Sequence, residues 1–379
     1  MRIRRATIYA LDLPFVAGFE HSTADRASCD SIVVRLESRD GVIGWGEGAP
    51  RPYVTGETVA QAVSTIERDL WPAVRDREWP EADLTAVVAM LPDPPGSPAI
   101  VAHHASRTAA ELALIDCGLR TRGESAGKLL PPARQTVRYS GVISAADVEQ
   151  CERQARRLRL AGLRQIKIKV GRGDDLARVR AVSAVLGPDV ELRVDANGAW
   201  SAGEALRALT PLANLGVASV EEPLGRERRA DLARLRADCP IPIAVDESLV
   251  TVDDATRLID ERACDLFNLR VSKCGGLGRS IELARMAASG GVGVQVGCHV
   301  GETAILSAAG RHLAAAIPEL RSAEGSYGRH LLSEDISDES IAFGHGGDAP
   351  VLRDVGLGIS VTEPRVRKWA SRIVELEAP

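Results

Sequence analysis

Apolar and polar positions alternate with a period of two over residues 2–13 and 31–37, which predicts two strands, and a third is expected at 41–46 after a turn. Helical spacing follows near 58–71 and 106–118. Between these helices, Leu91-Pro-Asp-Pro-Pro-Gly-Ser-Pro98 must be loop. Residues 1–132 therefore read as an α+β unit that ends at the Pro131-Pro132 linker. Beyond it the rhythm changes. Strand-like apolar runs at 137–142, 165–170, 190–195, 218–221, 243–246, 266–269, 292–296 and 320–324 recur roughly every 25 residues. Helical stretches at 147–161, 174–186, 202–215, 228–238, 253–261, 279–290 and 302–316 lie between them. Such a repeat over 133–345 is the signature of a (β/α) barrel, although a doubly wound open sheet gives the same local signals. A segment over 346–379, with loop and strand at 351–361, is expected to return to the first unit.

Composition narrows the class. Hydrophobic residues make up 45% and charged residues 26% of the chain, as in ordinary globular proteins. No apolar run approaches the ~18 residues of a membrane span, and the basic start lacks the apolar core of a secretory signal. Net charge is −5 and arginine is scattered, so neither nucleic acid nor a membrane is expected as a partner. The seven cysteines are odd in number, widely spaced and without a C-x-x-C pair, which suggests neither a zinc cage nor a disulfide framework. A reducing cytoplasm is the expected setting.

Of 47 basic residues only five are lysine, namely Lys128, Lys167, Lys169, Lys273 and Lys368. Arginine keeps its proton near neutral pH, whereas a buried or crowded lysine can give it up. Lysines retained in such a chain are candidates for work that needs a titratable amine. Lys167 and Lys169 are two apart on one expected strand, so both face one side, and their mutual repulsion is expected to push one amine below ~10.4. Three acids close three successive strands: Asp195, Glu221 and Asp246, at intervals of 26 and 25 residues. Singly, each suits a helix cap or an arginine partner. Together at one barrel mouth they would repel, and a hard dication such as Mg2+, with Mn2+ as the alternative, resolves that repulsion. Glu222 and Glu247 are rival ligands one residue on, and they or Asn197 and Ser248 can support the ligands from behind.

The Lys-x-Lys pair, the acids at three successive strand ends and the segment Lys273-Cys-Gly-Gly resemble the enolase superfamily, in its muconate lactonizing enzyme subgroup. The strand Gly41-Val-Ile-Gly-Trp-Gly-Glu47 and the late segment Val355-Gly-Leu-Gly-Ile-Ser-Val361 extend the resemblance over nearly the whole chain. It implies an α/β fold, a (β/α)7β TIM-like barrel with an N-terminal α+β capping domain. It also implies proton abstraction next to the carboxylate of a small substrate, through an enediolate stabilised by Mg2+. Asp195, Glu221 and Asp246 would be ligands, with Asn197, Glu222 and Glu247 around them. Lys169 would be the base on one face, tuned by Lys167, and Lys273 the acid or base on the other. Substrate contacts are implied in two cap loops, 15–29 with Phe19 and His21 and 50–58 with Tyr53. Others follow the last barrel strands at Cys298, His299 and Glu324. His299 matches the base of the mandelate racemase subgroup less well, because that subgroup lacks the second lysine. Glu324 is expected either to donate to substrate or to accept from Lys273. Dipeptide epimerases carry Asp-x-Asp after the eighth strand, where this chain has Glu324-Gly325-Ser326. A homo-oligomer is implied as well.

The implied activity is an isomerase: a cycloisomerase or a racemase, with amino-acid, N-acylamino-acid or dipeptide epimerisation and o-succinylbenzoate-synthase-type dehydration as alternatives. Outside that class, a Schiff-base aldolase or a non-catalytic binder could use the same barrel. Two glycine-rich stretches, at 171–173 and 275–278, lack the third glycine of a dinucleotide fingerprint. His103-His104 is expected at the surface or at a helix start.

Overall fold

A computed structural model describes residues 1–20, 25–75, 77–97 and 99–379, with side chains throughout except over 17–26. Eight strands form one parallel sheet in strict chain order: Gly141–Ile143, Gln165–Lys169, Glu191–Asp195, Val217–Glu221, Ile243–Val245, Leu266–Leu269, Gly293–Val296 and Leu320–Ala323. Strand order never reverses, which excludes the doubly wound alternative. The sheet curls until its ends meet. Tyr139 bridges Ala323 in parallel, and the Ser140 N–H donates to Ala323 O at 2.8 Å. The chain thus forms a (β/α)7β barrel.

The barrel strands and helices lie within a few residues of their predicted bounds. One expected strand, 137–142, is in fact two. Thr136–Arg138 pairs antiparallel with Asp348–Pro350, and only Gly141–Ile143 enters the barrel. The break has no turn residue to announce it, since Tyr139-Ser140 reads as continuous strand.

The N-terminal cap is an antiparallel sheet in the order Ala370–Glu377, Ile3–Leu11, Ile32–Ser38, Ile43–Gly48. The returning strand is therefore Ala370–Glu377, not 351–361. That earlier segment contains no strand, though it does dock on the cap: Leu357 N–H donates to Asp116 Oδ1 at 2.9 Å and Arg120 to Ile359 O at 2.7 Å. Ala370–Glu377 escapes a pattern reading because it is an edge strand with five of its eight residues exposed. The stretch 15–29, expected as a loop, contains a hairpin of Leu13–Glu20 and Asp25–Cys29. Among the described residues no helix is long and apolar enough to cross a membrane.

One helix, His104–Arg122, joins cap to barrel, and nearly all of it is buried. Its start is capped by a distant residue: Glu57 Oε2 accepts from Ala105 N–H at 2.9 Å and Oε1 from Ser106 N–H at 3.3 Å. The strand Ile43–Gly48 lies on this helix with Gly44, Gly46 and Gly48 towards it. A Cβ on any of them would overlap helix backbone at Ala113, Ala109 or Ala105. Side chains alternate along a strand, so Glu47 points the other way. It accepts from the N–H groups of Thr303 and Leu306, each at 3.0 Å, and so caps the barrel helix Ala304–Ala316. Period-two glycine thus allows close packing on one face while the other ties cap to barrel.

Gly46→Ala is expected to cost at least ~3 kcal/mol, because backbone rather than a flexible side chain must yield. Gly310→Ala, at a helical site with nothing within 4 Å of the added carbon, is expected to gain up to ~1 kcal/mol. Urea unfolding followed by circular dichroism measures both.

Candidate active site

The second barrel strand carries Lys167 and Lys169 inward while Ile166 and Ile168 are buried against the helices. Its neighbour ends in Asp195, directly in register with Lys169. Lys169 Nζ donates to Asp195 Oδ2 at 2.6 Å and to Asn197 Oδ1 at 2.8 Å. Asn197 adopts a left-handed backbone with φ of 45°, which lets its N–H turn back to Asp195 Oδ1 at 2.9 Å. Glu221 ends the fourth strand. It accepts from Lys167 at 3.3 Å, from Asn268 at 3.0 Å and from Gln295 at 2.6 Å. Asp246 follows the fifth strand and is bound by Arg270 and, at 2.8 Å, by Lys273 Nζ. All three carboxylates are buried.

These acids are neighbours. Lys167 Nζ lies within 3.4 Å of Asp195 and 3.3 Å of Glu221, and the Arg270 guanidinium reaches both Glu221, at 3.9 Å, and Asp246. Among the described residues no three side chains form a ready metal cage as they stand, because amines and a guanidinium lie between the acids. The donor set is nonetheless one of hard carboxylate oxygens around shared positive charge. Glu247, one residue beyond Asp246, adds a buried Oε2 with no hydrogen-bond partner. Burial, helped by Glu222 and Asp195, pushes its carboxyl up to about 8. This chemistry fits a hard dication held by oxygen.

Glu222 is set apart from the ligand candidates. With φ of 39°, it turns under the fifth strand, where it accepts from Asp246 N–H at 2.6 Å, Ser248 N–H at 3.3 Å and the Ser248 hydroxyl. Burial raises its carboxyl to about 7 despite those donors. Glu222 and Ser248 therefore fix the backbone from which Asp246 projects.

Two expectations about charge are corrected. Burial works against the Lys167 ammonium, but Glu221, Glu324 and Asp195 outweigh burial and raise it, so Lys167 is not the lowered member of the pair. Lys273 is lowered, brought to about 8 by burial, with the nearby Arg270 adding to the effect. Glu324 does not meet Lys273; its oxygens take Lys167 at 2.6 Å and Arg193 at 3.1 Å. Those two cations overcome burial and hold it below the usual carboxylate range.

A cavity of about 540 Å3 opens beside these groups. Tyr53, Lys167, Lys169, Cys298, His299 and Glu324 line it, as do Arg270 and Glu302. Lys273 does not line it; its Nζ is taken up by Asp246 and by Asn268 O at 2.7 Å. Phe19 lies in the hairpin strand Leu13–Glu20, and its side chain, like all of His21, is outside the described residues. Arg193, Asn268, Arg270, Gln295 and Glu302 were not foreseen. The signal was present for Arg193, Asn268 and Gln295, each a polar residue inside an apolar strand run where only an inward face was left to it. Glu302, which accepts from His299 N–H at 2.6 Å, is raised to about 8 by burial.

Comparison with known proteins agrees with this geometry. A family model described as "Enolase C-terminal domain-like" matches residues 150–365. The N-succinyl-L-Arg/Lys racemase of Bacillus cereus is 28% identical over 97% of this chain and 98% of its own. Its crystal structure superposes with a TM-score of 0.91 at 26% identity, covering 100% of both chains. A hydrophobic dipeptide epimerase of Citrifermentans bemidjiense is 30% identical over 83% of this chain and 86% of its own. Muconate lactonizing enzyme from Pseudomonas fluorescens, complexed with muconolactone, gives a TM-score of 0.89 at 27% identity, over 97% of this chain and 99% of its own. A barrel with opposed lysines around strand-end acids, and these likenesses across nearly its full length, place the chain in the enolase superfamily, among the mandelate racemase and muconate lactonizing enzymes.

Proposed function

We propose that the protein is a divalent-metal-dependent isomerase that moves the proton α to a substrate carboxylate, racemising or epimerising that carbon. The observation that carries this reading is the placing of two lysines. Lys169 is on the second strand, and Lys273 follows the sixth, half a turn away around eight strands. One amine can remove a proton from one side of a planar intermediate while the other delivers one to the far side.

Asp195, Glu221 and Asp246 would hold Mg2+, with Glu222 and Asn197 fixing their orientation. The ion, when bound, supplies charge that stabilises the doubly negative enediolate. Lys169 takes the proton on its face. Lys167 stays charged between Glu221 and Glu324 and adds positive potential without titrating. Lys273, which burial lowers to about 8, exchanges protons on the opposite face. Tyr53, Cys298, His299 and Arg270 bound the space for the rest of the substrate.

The substrate class is narrowed by the acids in that space. Glu324 is neutralised by Lys167 and Arg193, and burial raises Glu302 to about 8, which favours its neutral form. Neither offers a free carboxylate to a substrate ammonium. An α-amino acid blocked at nitrogen therefore fits better than a free amine, in keeping with the N-succinyl racemase likeness.

The test is incubation in D2O with Mg2+ and a panel of N-succinyl and N-acetyl amino acids of both configurations, L,L-dipeptides and cis,cis-muconate, followed by proton NMR. N-blocked amino acids should lose the α-proton signal and racemise, and EDTA should stop both. No exchange at any α-carbon, or an adduct trapped by borohydride, overturns the proposal. Lys169→Arg, which keeps the charge, should slow exchange of one enantiomer at least ~10²-fold. Mg2+ at 100 times its dissociation constant should stabilise the fold by about 2.7 kcal/mol, seen as a higher melting temperature, and Asp246→Asn should diminish that rise.

A further inference from the structure

We propose that His104, on the cap helix His104–Arg122, is a positioning residue for Lys273: it grips the lysine's main-chain carbonyl and so fixes the direction from which the amine meets the substrate. This rests on the reading of Lys273 as one of the two facing bases.

Lys273 sits in a four-residue helix, Val271–Cys274, followed by Gly275 and Gly276 with φ of 85° and 121°. So short an element cannot hold its own shape, since it closes barely one turn of backbone bonds. The cap helix holds it instead. His104 Nδ1 lies 2.5 Å from Lys273 O, Arg107 Nη1 donates to Gly275 O at 2.8 Å, and Glu111 Oε1 accepts from Gly278 N–H at 3.1 Å. These side chains are at i, i+3 and i+7, one face of one helix. The glycines admit that face. A Cβ on Gly275 would come within 3.0 Å of the His104 ring, and one on Gly276 would overlap the Glu111 carboxyl.

The partners of His104 settle its tautomer. A carbonyl only accepts, so Nδ1 carries the proton, and Nε2 is left to accept from Arg279 Nη1 at 3.3 Å. Burial keeps the ring neutral, so it carries one N–H, at Nδ1, and one lone pair, at Nε2. At its far end, Lys273 Nζ binds Asp246 and Asn268, which belong to the barrel. The lysine is thus held at its root by the cap and at its tip by the barrel. Lys167 and Lys169 stand instead on a strand held on both sides by sheet pairing.

Three variants test this. In His104→Leu the donor is lost. In His104→Asn the side-chain amide nitrogen occupies the place of Nδ1. In His104→Gln it reaches the place of Nε2 instead, and this variant serves if H104L does not fold. With an enantiomer pair that the wild type racemises in D2O, H104L and H104Q should slow the enantiomer that Lys273→Arg also slows by ~10-fold or more. The other enantiomer's exchange and both KM values should stay within about twofold, and H104N should restore the loss. Equal loss on both faces, or no loss, overturns the proposal.

A second readout needs no substrate. With 13Cε-lysine and Mg2+ alone, the five lysines give five signals, and Lys167→Arg, Lys169→Arg and Lys273→Arg identify three. The Lys273 signal should shift in H104L and return in H104N, with Lys167 and Lys169 unmoved. An H104L spectrum superposable on the wild type overturns the positioning role whatever the substrate result. A wild type that exchanges no carbon acid strikes the functional reading instead.

Discussion

The mouth of this barrel is organised by the need to neutralise buried carboxylates. Asp195, Glu221 and Asp246 are withdrawn from water at adjacent strand ends, and unpaired charge there would be prohibitive. Every cation around them follows from that need: Lys169 on Asp195, Lys167 across Glu221 and Glu324, Arg270 and Lys273 on Asp246. The interior of the strands repeats the balance one layer down, where Arg193 meets Glu324, Gln295 and Ser140. Groups so placed are preorganised for a reaction that generates negative charge, since their dipoles need not rearrange when it appears.

The same acids also explain why the lysines behave differently. Lys167 is surrounded by carboxylates and held charged, whereas Lys273, buried with Asp246 as its carboxylate partner and the Arg270 guanidinium nearby, is lowered. Environment, not residue type, separates the electrostatic role proposed for Lys167 from the proton-transfer role proposed for Lys273.

The cap takes part in this arrangement through close packing. Gly44, Gly46 and Gly48 let a strand lie on the backbone of the helix His104–Arg122, and Glu47 on the opposite face caps a barrel helix. The cap loop carrying Tyr53 is anchored in the same region, where Arg51 donates to Val300 O at 2.7 Å. The cap helix therefore stands at a fixed height over the sixth strand, with His104 and Glu111 against the turn that follows Lys273.

The sequence by itself determined the rhythm of strands and helices and the acids and lysines that close them, while the closed strand order came from the structure. Apolar runs at constant spacing gave eight strands and seven helices, and an acid closing each of three successive runs, with Lys167 and Lys169 two apart, placed the candidate residues on inward faces. Such local periodicities survive in one dimension because they report backbone geometry. Only the tertiary structure decided what each charge touches. It gave Glu324 to Lys167 and Arg193, turned Glu222 beneath Asp246, brought Arg270 in among the acids, and showed the C-terminal edge strand returning to Ile3–Leu11. Those pairings join residues far apart in the chain, and their energies depend on distance and burial, which exist only once the barrel has closed and the cap has settled on it.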